Sequence, residues 1–175
     1  MERLVTDILG LRQGVVALVP HSEAWHDAFA EEAASIRAAL GDRVKAIEHI
    51  GSTAVCGLSA KPIIDVAAGI DEPMRGAGWI ADHEALGYEY RGESGVAGRS
   101  YFVKGDPRTY HLHVLHLQSE AWRNHIAFRD CLRANGEVAK EYEQLKRALA
   151  ARHRNDRESY TRGKAAFIRH ILGLP

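Results

Sequence analysis

The sequence predicts an α+β fold, with strands in the first two thirds of the chain and helices in the last third. Three observations carry this reading. Short apolar runs punctuated by Gly, Pro and Asp recur up to about residue 117. Beyond Ser119, apolar residues recur at spacings of three and four to the end of the chain. No repeat, low-complexity segment or Pro/Ser-rich linker divides the 175 residues, a length suited to one domain with a real core. We therefore expect one domain over 1–175, with a sheet core over about 15–117 and C-terminal helices over about 119–173.

Taken in order, residues 15–19 read as a short strand ended by Pro20. Ser22 is the expected N-cap of a helix that gathers Trp25, Phe29, Ile36 and Leu40 on one face, and Gly41 closes it. Residues 44–50 read as a strand. The following run from Gly51 to Leu58 is too rich in glycine and small residues for regular structure. Residues 62–70 are apolar on both faces apart from Asp65, which predicts a central strand. Residues 74–86 read as a helix despite Gly76 and Gly78. Residues 88–91, 99–104 and 110–117 read as further strands.

The helical third follows. Trp122, Ile126, Arg129 and Leu132 form one turn series, and Val138, Tyr142, Leu145 and Leu149 an apolar stripe. Asn155 and Glu158 have the spacing of a capping box before a last helix. That helix carries Tyr160, Lys164, Phe167, Ile168 and Ile171 on one face, and these aromatic and aliphatic stripes read as core.

Bulk properties exclude several classes. Hydrophobic residues at 46% and charged residues at 26% describe a folded protein. Twenty-three Lys and Arg balance 23 Asp and Glu, so general binding to nucleic-acid phosphates is disfavoured. Cys56 and Cys131 stand far apart, in neither a disulfide framework nor a zinc-knuckle spacing, which suits a reducing compartment. There is no signal-peptide pattern and no apolar run of about 20 residues. By elimination the expected location is cytoplasmic, without a membrane partner; a homo-oligomer is permitted but not indicated. Walker A, His-Glu-x-x-His and Gly-x-Ser-x-Gly motifs are absent.

The chemical information concentrates between Ile47 and Val66. A strand runs into Gly51-Ser52, a loop follows, and a buried strand carries Asp65. Glycine lets a bulky anion approach the backbone, and a loop with free N–H groups and the Ser52 hydroxyl can hold phosphate. An aspartate in an apolar strand is expensive to bury without a metal or partner. An anion-holding turn beside a carboxylate suggests Mg²⁺ with a phosphorylated ligand. By itself Gly51-Ser52 is an ordinary turn, and Asp65 alone could cap a loop N–H.

Gly51-Ser52, twelve intervening residues and Asp65-Val66 resemble the signature of the DNA polymerase β-type nucleotidyltransferase superfamily. More narrowly, residues 49–55, Gly57-Leu58 and residues 61–66 resemble the GrpB-like family. The likeness continues through Gly87-Tyr88, Glu93, Gly98-Arg99, Phe102, Lys104 and residues 111–114, then through residues 128–130, Tyr142, Tyr160 and Lys164. It covers nearly the whole chain from about Val19. It implies a nucleotidyltransferase-like mixed sheet flanked by helices. The implied activity is in-line transfer from a nucleoside triphosphate to an unknown acceptor, with Asp65 as the main metal ligand and Gly51 and Ser52 at the phosphates. Some members of the family are fused to dephospho-CoA kinase.

Two departures stand out. Cys56 replaces the family's usual proline, and no base is evident beside it in sequence. Active transferases place two carboxylates on one strand face, whereas alternation puts Ala67 beside Asp65 here, as the family pattern generally does. Without the pair, the two-metal clamp is incomplete. His111 and His113 alternate on a strand of the same sheet and are candidates to complete a site with Asp65. Imidazole favours Mn²⁺, Zn²⁺ or Fe²⁺ over Mg²⁺; the same histidines could instead contact phosphate, serve as general base (His113), or be structural. Lys61, Arg99 and Lys104 are candidate phosphate partners, although Arg99 and Lys104 differ in strand parity. His49 is expected to brace the loop, and the Arg/Lys-rich stretch 146–157 to be a solvated helix face.

Three functions follow. The first is a metal-dependent nucleotidyltransferase. The second is a module that binds a nucleotide or a CoA-related metabolite without turnover. The third is a transition-metal phosphoryl hydrolase or transferase built on Asp65, His111 and His113.

Overall fold

A computed structural model describes residues 8–72 and 77–175. Five strands form one mixed sheet: β1 Ala46–Ile50, β2 Ile64–Ile70, β3 Tyr88–Tyr90, β4 Ser100–Lys104 and β5 Tyr110–His116. Their order is β1-β2-β5-β4-β3. Only β2 and β5 run parallel; the other neighbours are antiparallel. Among the described residues, five α-helices accompany the sheet: α1 Ala24–Leu40, α2 Ala77–Ala85, α3 Glu120–Ala134, α4 Gly136–Arg152 and α5 Arg157–Ile171. The expected α+β class and its strand-then-helix order are what the chain adopts. Among the described residues no helix is long and apolar enough to cross a membrane.

The sheet divides the protein into two layers because side chains alternate along every strand. Ile64, Val66, Ala68 and Ile70 of β2 face the same way as Phe102, Leu112 and Val114, and this apolar face is buried. Trp25, Ala28, Ile36 and Leu40 recur at helical spacing and seat α1 on it. The opposite parity places Asp65 and Ala67 of β2, and His111 and His113 of β5, on the other face. The C-terminal helices cover that side. Their own core joins Leu132, Phe128, Tyr142 and Phe167 to Val55 and Leu58, so the segment after Gly51 is anchored by the helical third.

Four local expectations need correction. Residues 15–19 form no strand: Val16 N–H bonds to the Arg154 carbonyl at 2.8 Å, and only Val19 bridges to Ala60. Its backbone partners lie in two separate connecting segments, so no ladder forms. Helix α1 starts after Glu23 without a side-chain cap, and Ser22 offers its carbonyl to Trp25 N–H at 3.1 Å instead. The cap of α5 is Asp156, whose carboxylate accepts from Ser159 N–H at 3.0 Å, one residue beyond the expected Asn155. Of the helix expected over 74–86, residues 77–85 are helical as α2, while Met74 to Gly76 lie outside the described residues.

Candidate functional site

Strand β1 ends at Gly51, whose φ of 72° lies in the region only glycine enters freely. A Cβ there would sit 2.6 Å from Asp65 Oδ2. Glycine is thus required twice, by backbone conformation and by the carboxylate pressed against it. A 3₁₀ turn, Ser52–Ala54, follows. His49 Nε2 pairs with Thr53 Oγ1 at 2.9 Å while its ring stacks on Phe29, centroids 4.6 Å apart. Burial pushes His49 down to about 3, so it braces the turn as a neutral imidazole. From the helical layer, Arg133 donates to the Ala54 carbonyl at 2.9 Å and Arg129 to the His49 carbonyl at 3.1 Å.

The parallel register sets Asp65 opposite His111 and Ala67 opposite His113. His111 Nδ1 lies 2.9 Å from Asp65 Oδ1, and His113 Nε2 approaches the same oxygen at 3.6 Å. Each imidazole then meets a guanidinium. Arg99 NH1 is 3.1 Å from His113 Nδ1, and Arg157 NH2 is 3.3 Å from His111 Nε2. A guanidinium only donates, so these two ring nitrogens accept and the other two carry the protons, directed at Asp65. The result is one hydrogen-bonded relay, from Asp65 through His111 to Arg157, with His113 beside it: held by Arg99, its Nε2 stops 3.6 Å short of Asp65 and has no hydrogen-bond partner. Burial alone would raise the Asp65 carboxyl; the hydrogen bond from His111 and the approach of His113 outweigh it and hold Asp65 well below the usual carboxylate range. Burial lowers His111 to about 4 despite Asp65.

Around this group opens a cavity of about 730 Å³, between the sheet and α5. Its cations are Lys61, Arg99, Arg157 and Lys164; its acids are Asp65 on the floor and Glu158 on the rim. Among the described residues none of those four cations is within 4.0 Å of a carboxylate. Lys61 and Lys164 both approach the Tyr160 ring, at 5.4 and 4.6 Å from its centroid. Burial, before any charge effect, brings Lys61 down to about 7 and Lys164 to about 8. Arg99 also lies over the Tyr101 ring, 4.6 Å from its centroid. The cavity is therefore an electropositive, aromatic-walled space with one deep carboxylate.

The structure brings Gly51, Ser52, Lys61, Asp65, Arg99, His111 and His113 to this cavity. Lys104 is the exception and a correction. It projects from the other face of β4, where Nζ bonds both Glu32 carboxylate oxygens at 2.9 Å between the Tyr88 and Tyr110 rings. The strand-parity conflict between Arg99 and Lys104 is resolved in favour of Arg99.

In this arrangement the expected Asp65–His111–His113 set fits a metal ion poorly, on donor chemistry. With Arg157 and Arg99 held by their acceptor nitrogens, neither histidine directs a lone pair at the carboxylate, which is what metal ligation requires. In the same arrangement the Nδ1 lone pair of His113 is taken up by Arg99. The position of the second acid is Ala67, and Glu48, paired across from it on β1, is taken by Arg129 at 2.5 Å. A carboxylate clamp for two divalent ions does not fit these residues.

Several site residues escaped the sequence reading. Arg157 was expected on a solvated face, and Tyr160 and Lys164 were grouped with the core stripe; all three line the cavity. So does His125, its ring 5.1 Å from that of His113. Arg157, Tyr160, Lys164 and Ile168 fall at helical spacing on one face of α5, and a polar-plus-aromatic stripe is the signal that marks them. Cys56 does have a base beside it, His26 Nε2 at 3.8 Å, supplied by α1 and invisible to sequence proximity.

The chain resembles known proteins over nearly its whole length. A family model described as GrpB protein matches residues 15–173. The glutamate-rich protein GrpB of Alkalihalophilus pseudofirmus is 38% identical, over 94% of this chain and 98% of its own. The crystal structure of conserved protein GrpB from Enterococcus faecalis superposes with a TM-score of 0.83 at 37% identity, covering 90% of this chain and 95% of that one. The Cid1 poly(U) polymerase, in a structure with MgGTP bound, matches with a TM-score of 0.51 at 14% identity, over 76% of this chain and 44% of the polymerase. That likeness shows a nucleotidyltransferase-type fold. The chain belongs to the GrpB family.

Proposed function

We propose that this GrpB-family chain binds a phosphorylated small molecule of the nucleotide class in the cavity between the sheet and α5. The observation that carries the reading is the four cations around one deep carboxylate, none of them paired with an acid. Cations drawn into a cavity without a carboxylate to neutralise them are costly, and an oligophosphate supplies several charge-assisted acceptors at once. Asp65 then has a role that needs no metal: it orients His111 and through it Arg157, while Arg99 is set by the Glu93 and Ser94 carbonyls and by His113. Arg157 and Arg99 fork onto phosphate oxygens, Lys61 and Lys164 add point charges, and the Tyr101 and Tyr160 rings offer stacking surface. Ser52, beside the Tyr142 hydroxyl, closes the floor.

Nucleotidyl transfer is the second reading, favoured by the fold likeness to a polymerase and by the Gly51–Asp65 contact. The missing partner acid at Ala67 places it behind binding. A thermal-shift panel separates the two. Nucleoside triphosphates, pyrophosphate, dephospho-CoA and CoA are each tested alone and with Mg²⁺, Mn²⁺ or Zn²⁺. A ligand at a hundredfold excess over Kd adds about 2.7 kcal/mol of stability. The binding reading expects a metal-independent shift that Arg157→Ala abolishes, and no release of pyrophosphate. A shift that requires a metal, with turnover, establishes transfer instead. No shift from any ligand overturns both.

A further inference from the structure

His21, His26 and Cys56 offer a second constellation, on the opposite side of the Gly51 segment from the cavity. His21 lies just before α1, His26 in its first turn, and Cys56 in the loop after the 3₁₀ turn. One ligand atom from each falls within 4.8 Å of the others. Cys56 Sγ and His26 Nε2 are 3.8 Å apart. Bond lengths to tetrahedral Zn²⁺ of about 2.3 Å from sulfur and 2.0–2.1 Å from nitrogen put such ligand atoms roughly 3.5 Å apart. The observed pair is thus close to ligating distance, and rotation of the exposed Cys56 closes the rest.

A second, independent observation points the same way. The His21 side chain is only 10% exposed, packed edge-on against Trp25, yet both its ring nitrogens lack a hydrogen-bond partner. An imidazole buried with neither nitrogen satisfied is unfavourable, and a metal ion removes one of the two deficits. Glu23 Oε1 stands 3.5 Å from His21 Nε2 on an 84% exposed side chain, free to swing in as fourth ligand or to leave that position to water.

We infer that His21, His26 and Cys56 form a Zn²⁺ site. A thiolate with two imidazoles suits Zn²⁺ and its spectroscopic stand-in Co²⁺, and is a poor set for Mg²⁺ or Ca²⁺. The ion ties the start of α1 to the segment that carries Gly51 and Ser52. His26 also lies edge-on to His49, centroids 5.6 Å apart, and His49 holds Thr53, so the ion and the imidazole brace one turn from two sides.

The test is Co²⁺ titration of the full chain, without a polyhistidine tag and under reducing conditions, followed by Zn²⁺ competition. The expected result is one Co²⁺ per chain, a thiolate-to-cobalt charge-transfer band and tetrahedral visible bands, all displaced by Zn²⁺. Cys56→Ser removes the charge-transfer band, and Cys131→Ser leaves it unchanged. His26→Gln, which removes one ligand while leaving the His21–Trp25 contact in place, weakens Zn²⁺ binding by more than roughly a hundredfold, beyond what changes outside the ligand shell cause. Absence of the band from folded wild type overturns the assignment, as does a band that survives Cys56→Ser.

Discussion

The two faces of the sheet hold the same kinds of side chain and treat them oppositely. On the α1 face, Lys104 enters an apolar layer between Tyr88 and Tyr110 and meets Glu32, which is 7% exposed. Its charge is fully answered from within the chain. On the α5 face, Lys61, Lys164, Arg99 and Arg157 converge on a cavity where no carboxylate pairs with them. Burial of charge is common to both faces; only unanswered charge marks a place for a ligand. The histidines repeat the contrast. His49, on the α1 side, closes a turn, whereas His111 and His113 stand between an acid and two cavity-facing arginines.

The comparison breaks most easily at Glu32. Glu32→Ala strands a half-buried ammonium and is expected to lower stability by about 3 kcal/mol, roughly 6–12 °C in Tm, without changing ligand affinity in the cavity. Calorimetry with and without ligand checks both halves. Gly51→Ala is next. It forces φ of 72° on alanine and drives a methyl into Asp65 Oδ2, so a loss of about 2 kcal/mol is expected, together with loss of any ligand-induced shift.

Acid sharpens the contrast between the histidines. His49 and His111 are depressed to about 3 and about 4, so below their unfolded value near 6.5 the unfolded chain takes up protons that the folded chain refuses. Stability is fully present above pH 6.5 and falls as pH drops, toward pH 4 for His111 and toward pH 3 for His49. The slope is at most about 1.4 kcal/mol per pH unit for each group. A bound phosphorylated ligand favours the charged form of His111 and not that of His49. Denaturant midpoints between pH 7 and 4 are therefore expected to fall less steeply with ligand, and His111→Asn to remove that ligand-dependent part. The smallest effect on stability is Lys164→Met. It removes an unanswered buried charge, so stability holds or rises by up to about 1 kcal/mol. Ligand affinity, read by titration calorimetry, is expected to drop more than tenfold. A Lys164→Met protein that loses stability and keeps affinity would make the two faces alike.

Much of this was legible in the chain. Strands β1, β2, β4 and β5 and helices α3 to α5 follow from periodicity because each buries one definable face. Gly51, Ser52 and Asp65 were readable because β1 and β2 are consecutive in the chain and adjacent in the sheet, so the turn that ends one strand meets the start of the next. His111 and His113 were readable as a pair by alternation, but their chemistry was not. That depended on Arg99 and Arg157, which reach them from a loop and from a helix over 40 residues away in sequence. Residues 15–19 had strand composition but no strand to pair with, which composition cannot reveal.

By itself, the sequence determined the α+β order, the glycine-serine turn, the strand aspartate and the family. These rest on local periodicity and on short-range spacing, which need no knowledge of how elements pack. Tertiary structure decided which cations face the cavity, which is answered by Glu32, and which arginine meets each of His111 and His113. It also decided that His26 meets Cys56. Each of these is a long-range pairing, set by strand register and by how the helices seat on the two faces, and neither can be read from spacing along the chain.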